Sequence, residues 1–96
     1  MALVYCALAF AASVFAAKVT WSRNSESDIV RYEVHLGTSP GTYTRTINAG
    51  NQASVVVNDL QPGVTYYITV TAVNEAGLVS EPSTEISYQE PLAELP

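Results

Sequence analysis

From Lys18 onward the chain alternates polar and apolar residues in short runs broken by turn-forming residues, and no window keeps a helical period beyond a turn or two. Lys18-Val19-Thr20-Trp21 alternates, and so does Ile29 to Leu36, with Tyr32, Val34 and Leu36 on one face and Arg31, Glu33 and His35 on the other. Gly37-Thr38-Ser39-Pro40-Gly41 predicts a turn, because each residue type there suits a bend or a positive φ. Thr42 to Ile47 is β-branched and aromatic and predicts a strand; Asn48-Ala49-Gly50-Asn51 predicts the next turn, and Ser54 to Val57 a short strand. Val64 to Val73 gives the strongest strand pattern, with Tyr66, Ile68, Val70 and Ala72 facing one way and Thr65, Tyr67, Thr69 and Thr71 the other. Asn74-Glu75-Ala76-Gly77 closes it, and Thr84 to Tyr88 predicts a last strand. Strands roughly ten residues apart, with connections too short for crossover helices, imply an antiparallel sandwich. The expected core is Val19, Trp21, Ile29, Tyr32, Val34, Val55, Val57, Leu60, Tyr66, Ile68, Val70 and Ile86.

The first seventeen residues differ from the rest. Met1 to Ala17 carries no charged side chain, and its apolar run suits the core of a secretory signal peptide while falling short of a span of about 20 residues. Ala9-Phe10-Ala11 and Val14-Phe15-Ala16 both offer small residues where a signal peptidase cuts, although no Lys or Arg precedes the run. The alternatives are an uncleaved anchor and a first strand, the latter supported by Leu8 and Phe10 alternating with alanines. The expected organisation is therefore an apolar segment at 1–17, one sandwich domain at 18–88 and a tail or linker at 89–96, where two prolines and two acids break any strand pattern.

Charge narrows the function classes. Nine acids against four bases give a net charge of −5, and the bases Lys18, Arg23, Arg31 and Arg45 are scattered, which argues against nucleic acid. Cys6 is the single cysteine, so no disulfide within the chain can staple the fold and packing alone must hold it.

One stretch is more specific. Leu60-Gln61-Pro62-Gly63-Val64-Thr65-Tyr66 resembles the tyrosine corner of immunoglobulin-like sandwiches, in which a Tyr hydroxyl bonds back to upstream backbone. Around it Trp21, the Ile29–Tyr32–Val34 pattern and the turn residues Asn74, Gly77 and Ser80 resemble, in order and spacing, a fibronectin type III domain. Gly37-Thr38-Ser39-Pro40-Gly41-Thr42-Tyr43 is similar to a stretch found in bacterial modules of that family. The resemblance covers Lys18 to about Tyr88 and implies an all-β immunoglobulin-like sandwich of six to seven strands. The family's first strand has no clear counterpart unless residues before Lys18 supply it.

No constellation for catalysis emerges. His35 is the only histidine, and a lone imidazole on a polar strand face makes neither a triad nor a metal site. Glu26 and Asp28 lie in a Ser/Asn-rich loop where solvation and turn capping account for them, and no phosphate-binding glycine loop occurs. The expectation is no catalytic residue, no cofactor and no metal. Contacts with a partner would come from loop ends: Leu78 and Val79, two apolar residues in a turn, and Tyr43 and Tyr67, whose rings can show surface. The resemblance implies an exported or cell-surface interaction or spacer module, with a protein or a polysaccharide as partner and a membrane only if residues 1–17 stay attached. The alternative is a structural subunit of a surface assembly or virion that retains them.

Overall fold

The computed structural model describes residues 2–8 and 15–91. They form seven strands: β1 (Ala2–Leu8), β2 (Phe15–Trp21), β3 (Ile29–Gly37), β4 (Arg45–Gly50), β5 (Ser54–Asn58), β6 (Thr65–Asn74) and β7 (Ile86–Gln89). One sheet has the order β1-β2-β5 and the other β4-β3-β6-β7, with every pairing antiparallel. The architecture is the immunoglobulin-like sandwich that the alternation implies. Residues before Lys18 supply the first strand, since β1 pairs along β2 from Ala2 opposite Trp21 to Leu8 opposite Phe15. β2 itself starts before Lys18, and Ala16 and Ala17 are both buried.

The inward positions of the two sheets meet in a single cluster. Ala17, Val19, Trp21, Tyr32, Val34, Leu36, Val57, Leu60, Ile68 and Val70 are buried in it, with Ile29, Val55, Tyr66 and Ile86 packed at its margin. All twelve expected core residues lie in or against this cluster; Ala17, Leu36, Ala49 and Ala72 complete it. Small alanines there let the facing Trp21 and Tyr32 rings fit, which lie 5.6 Å apart in a tilted arrangement. Val19, Val34, Leu36, Val57 and Ile68 are fully enclosed, each contributing about 1.5–3 kcal/mol through burial.

The structure departs from the alternation pattern in two places. β4 begins at Arg45, where the β-branched run beginning at Thr42 placed it earlier, and includes Asn48 to Gly50. Residues 38–44 are consumed by a turn that folds back on β3, with Thr42 N–H donating to the Ser39 carbonyl and Thr44 N–H to the Leu36 carbonyl. A bulge at Tyr32/Glu33 and the positive φ of Gly50 (65°) carry β4 past its expected end. The second departure is at β6, where the outer-face residues Thr69, Thr71 and Val73 are buried as well as the inner ones. The segment Val79–Ser83 runs along this edge of β6, with Ser80 N–H bonding the Ala72 carbonyl and Ser83 N–H the Val70 carbonyl. Pro82 prevents a regular ladder, and two hydroxyls stand in as acceptors: Ser80 Oγ for Ala72 N–H (2.8 Å) and Ser83 Oγ for Val70 N–H (2.9 Å). A regular strand therefore begins only at Ile86.

The corner at Leu60–Tyr66 forms as its residues imply. Gln61 N–H donates to the Tyr66 hydroxyl at 2.8 Å, and Gly63 takes a φ of 80°. Gly63 N–H then bonds the carbonyl of Glu90, a fully buried residue, so the chain beyond β7 closes this end of the sandwich.

Gly37 is required by a close backbone approach, because a Cβ there would sit 2.1 Å from the Thr42 carbonyl oxygen. Gly37→Ala should lower unfolding stability by about 1–3 kcal/mol in urea titration; an unchanged midpoint would show that the turn does not depend on this approach.

Candidate functional site

β3 and β6 fix what lies at each end of the sandwich. Ile29 pairs with Asn74 at one end and Gly37 with Tyr67 at the other, about 27 Å apart at the usual rise per residue. Three loops gather at the Ile29–Asn74 end: residues 22–28, 51–53 and 75–81, the last being the first part of the connection to β7.

Strand-borne side chains hold these loops in place. The Tyr32 ring packs in the core while its hydroxyl accepts the Asn24 N–H at 2.8 Å, tying the first loop to β3. The Arg23 guanidinium donates to the side-chain and backbone oxygens of Asn51, both at 2.9 Å, which joins the first loop to the second. Asn74 organises the third: its side-chain oxygen accepts the N–H groups of Ala76 (3.0 Å) and Leu78 (2.9 Å), and its own N–H donates to the Leu78 carbonyl. Gly77 supplies the left-handed residue this tight turn needs, with φ 82°. Glu75 N–H donates to the Asp28 carbonyl at 3.0 Å, linking the first and third loops directly.

The outcome is a fixed platform bearing two apolar side chains. Leu78 is 67% exposed and Val79 61% exposed, and neither tucks against the sandwich end. Beside them lies a hollow of about 190 Å³, lined by Glu26, Asp28 and Ile29 from one side and by Asn74, Leu78 and Val79 from the other. A neighbouring hollow of about 160 Å³ continues past Trp21, Tyr32, Glu81 and Ser83. Asn24, Ala72 and Ser80 line both hollows, which adjoin along the loop seam.

Tyr43 and Tyr67, the other two residues with expected surface roles, are placed elsewhere. Tyr67 is half-buried opposite Gly37 and Ser87, at the far end of β3. Tyr43 is half-buried, its ring 6.3 Å from that of His35. Its hydroxyl donates to the Glu85 carboxylate, which also accepts the Gly41 N–H at 2.8 Å. This clasp fastens the turn after β3 to the approach to β7. The shared hydrogen bond pushes the Tyr43 hydroxyl up to about 12, with burial and the Glu85 charge adding to the rise. The same bond, followed by that from Gly41, holds the Glu85 carboxyl below its usual range.

His35 is not simply solvated. Its ring nitrogens bond the Thr46 hydroxyl (3.1 Å) and the Thr71 hydroxyl (2.9 Å), making a polar rung across β4, β3 and β6. Among the described residues no three His, Cys, Asp or Glu side chains come together as a metal site. Sequence reasoning accounted for Glu26 and Asp28 by solvation and turn capping and gave no role to Asn74 beyond its turn. The signal for Asn74 was present in Asn-Glu-Ala-Gly, because an Asn side chain readily bonds backbone two residues on. That Glu26 and Asp28 would face Leu78 depends on the pairing of β3 with β6.

A family model described as "Fibronectin type III domain" matches residues 12–89. A search of curated proteins finds no match. Among solved structures, an Fn3-like protein from Clostridium thermocellum is 30% identical, with 96% of this chain and 92% of that chain covered and a TM-score of 0.60. The FN1-FN3 domains of chicken CNTN1 match at 21% identity and TM-score 0.78, covering 95% of this chain and 31% of that one. The pectate lyase PelI from Erwinia chrysanthemi, solved with tetragalacturonic acid, matches at 20% identity and TM-score 0.63, over 91% of this chain and 28% of that chain. The last two likenesses concern the fold alone.

In the clasp, a depressed carboxyl pKa stabilises the fold at pH above the ordinary Glu range and loses that contribution as pH falls through the folded-state value. The raised Tyr43 pKa contributes below about pH 10 and is lost as pH rises toward 12. Wild type should therefore lose part of its stability advantage over Glu85→Gln on acidification from pH 6 to 3, measured by urea unfolding. A constant difference between the two proteins across that range would contradict the clasp.

Proposed function

The chain belongs to the fibronectin type III family, and on that premise we propose that it is a non-catalytic, extracytoplasmic module that binds a protein partner through the three-loop end of its sandwich. Domains of this family commonly serve as interaction or spacer modules and are generally non-catalytic. The observation that carries the reading is the exposed pair Leu78 and Val79 on a loop already fixed by Asn74 and Gly77. Apolar side chains held in a binding-ready position cost little entropy on association, and such preorganised anchors dominate interface energies. The apolar run of residues 1–17 supports the extracytoplasmic part.

The strand boundaries bear on where that run would be cut. Cleavage after Ala16 would divide β2 and remove part of it, whereas cleavage after Ala11 leaves β2 to β7 whole. A second reading, a structural subunit that retains the segment, is favoured by the pairing of β1 along the whole of β2, which covers that edge.

Intact mass of the product recovered from an exporting bacterial host distinguishes the two. A chain beginning at Ala12 is the expected result, and a folded product retaining residues 2–8 would transfer the case to the subunit reading. For the docking surface, extracytoplasmic proteins from the source cells should be retained by immobilised wild type and lost with Leu78→Ser/Val79→Ser, while the variant's unfolding midpoint stays within about 0.5 kcal/mol of wild type. Equal retention by both proteins would place the contact elsewhere.

A further inference from the structure

We propose that the hollow beside Leu78 and Val79 receives a lysine or arginine side chain of the partner, so that the module selects a protein segment in which a cation is flanked by apolar residues. The inference rests on the docking surface proposed above and adds the chemistry of what fills it.

The charge balance of the three loops is one-sided. Glu26, Asp28, Glu75 and Glu81 stand against a single base, Arg23, and Arg23 is already committed to Asn51 through two hydrogen bonds. The other arginines are engaged: Arg31, two residues into β3 from this end, with Glu33 at 2.9 Å, and Arg45, at the far end, with the Asn58 carbonyl. Among the described residues the carboxylates of Glu26 and Asp28, like those of Glu75 and Glu81 in the third loop, accept no hydrogen bond and form no ion pair, whereas Glu33 and Glu85 are paired.

Shape agrees with charge. The hollow has room for a side chain, at about 190 Å³. Its lining joins the Glu26 and Asp28 loop on one flank to Ile29, Leu78 and Val79 on the other. A long cationic side chain has this same division, an aliphatic stem that packs on apolar surface and a charged head that seeks carboxylates. An acidic or purely apolar side chain would leave the two carboxylates facing like charge or losing water without compensation. The backbone link between Glu75 and Asp28 keeps the two flanks in register before any partner arrives.

The test is an NMR titration of the isotopically labelled full chain at low salt with acetyl-Leu-Arg-Val-amide, and with the same peptide carrying neutral citrulline in place of arginine. The arginine peptide should shift the amides of residues 24–28 and 74–80 saturably, and bind at least fivefold more tightly than the citrulline peptide. Raising the salt to 0.3 M should erase most of that difference, since exposed charges are then screened within a few ångströms. Glu26→Gln/Asp28→Asn, at two exposed positions, should bind both peptides alike without loss of folding. Equal binding of both peptides at these loops by wild type would overturn the cation preference and leave the docking surface standing. If neither peptide shifts any amide of these loops, both readings fall.

Discussion

The pairing of β3 with β6 is the constraint on which the rest of the molecule depends. It runs from Ile29 opposite Asn74 to Gly37 opposite Tyr67 and places Tyr32 beside Ala72, Val34 beside Val70 and Leu36 beside Ile68. Those six residues are all buried, and they form much of the wall against which β2 and β5 pack. With no disulfide possible within the chain, this pairing and the core behind it carry the load that a bridge between sheets carries in other sandwiches. β6 is further secured on its outer edge by the hydroxyls of Ser80 and Ser83, which replace strand acceptors where Pro82 breaks the ladder.

From this axis both ends acquire their order. At one end Tyr32 and Asn74, each rooted in a paired strand, use side-chain oxygens to hold the backbones of two loops. The loops are thereby irregular in shape yet tied to the strands and to one another by hydrogen bonds. At the other end Glu85 secures the turn after β3 through Tyr43 and Gly41, and Tyr66 closes the corner before β6. The asymmetry is instructive. The clasp end uses its polar groups on itself, whereas the loop end leaves two apolar side chains, Leu78 and Val79, exposed and the carboxylates of Glu26, Asp28, Glu75 and Glu81 without internal partners.

Much of the fold was legible because it rests on period-two alternation and on local turn chemistry. Tyr32, Val34, Ile68 and Val70 declare the inner faces of β3 and β6, and the Pro-Gly turn followed by Tyr66 declares the corner. What was not legible depended on long-range pairing. The buried outer face of β6 follows from the return of Val79–Ser83 along its edge, which Thr69 and Thr71 cannot reveal by themselves. Leu78 and Val79 could be picked out as apolar residues in a turn, but Glu26 and Asp28, which line the same hollow, come from a loop some fifty positions away in the chain. Likewise the Tyr43 ring was expected to show surface, and its hydroxyl is bonded to Glu85 across the turn. For residues 2–8, the apolar run allows a strand and an export signal alike, and the pairing with β2 depends on residues distant in the chain.

The central claim is that a rigid β3–β6 axis presents a loop surface already formed before binding. Native-state hydrogen exchange measures this most directly. The Thr69 and Thr71 amides lie on the β3 side of β6, because those of Val70 and Ala72 face the Ser80–Ser83 edge. They should exchange only through global unfolding, and the Leu78 and Ser80 amides, bonded to Asn74 and to the Ala72 carbonyl, should be protected well above free-peptide rates. Exchange of Leu78 and Ser80 at free-peptide rates, with the strands still protected, would show a loop that orders only on binding and would contradict the account.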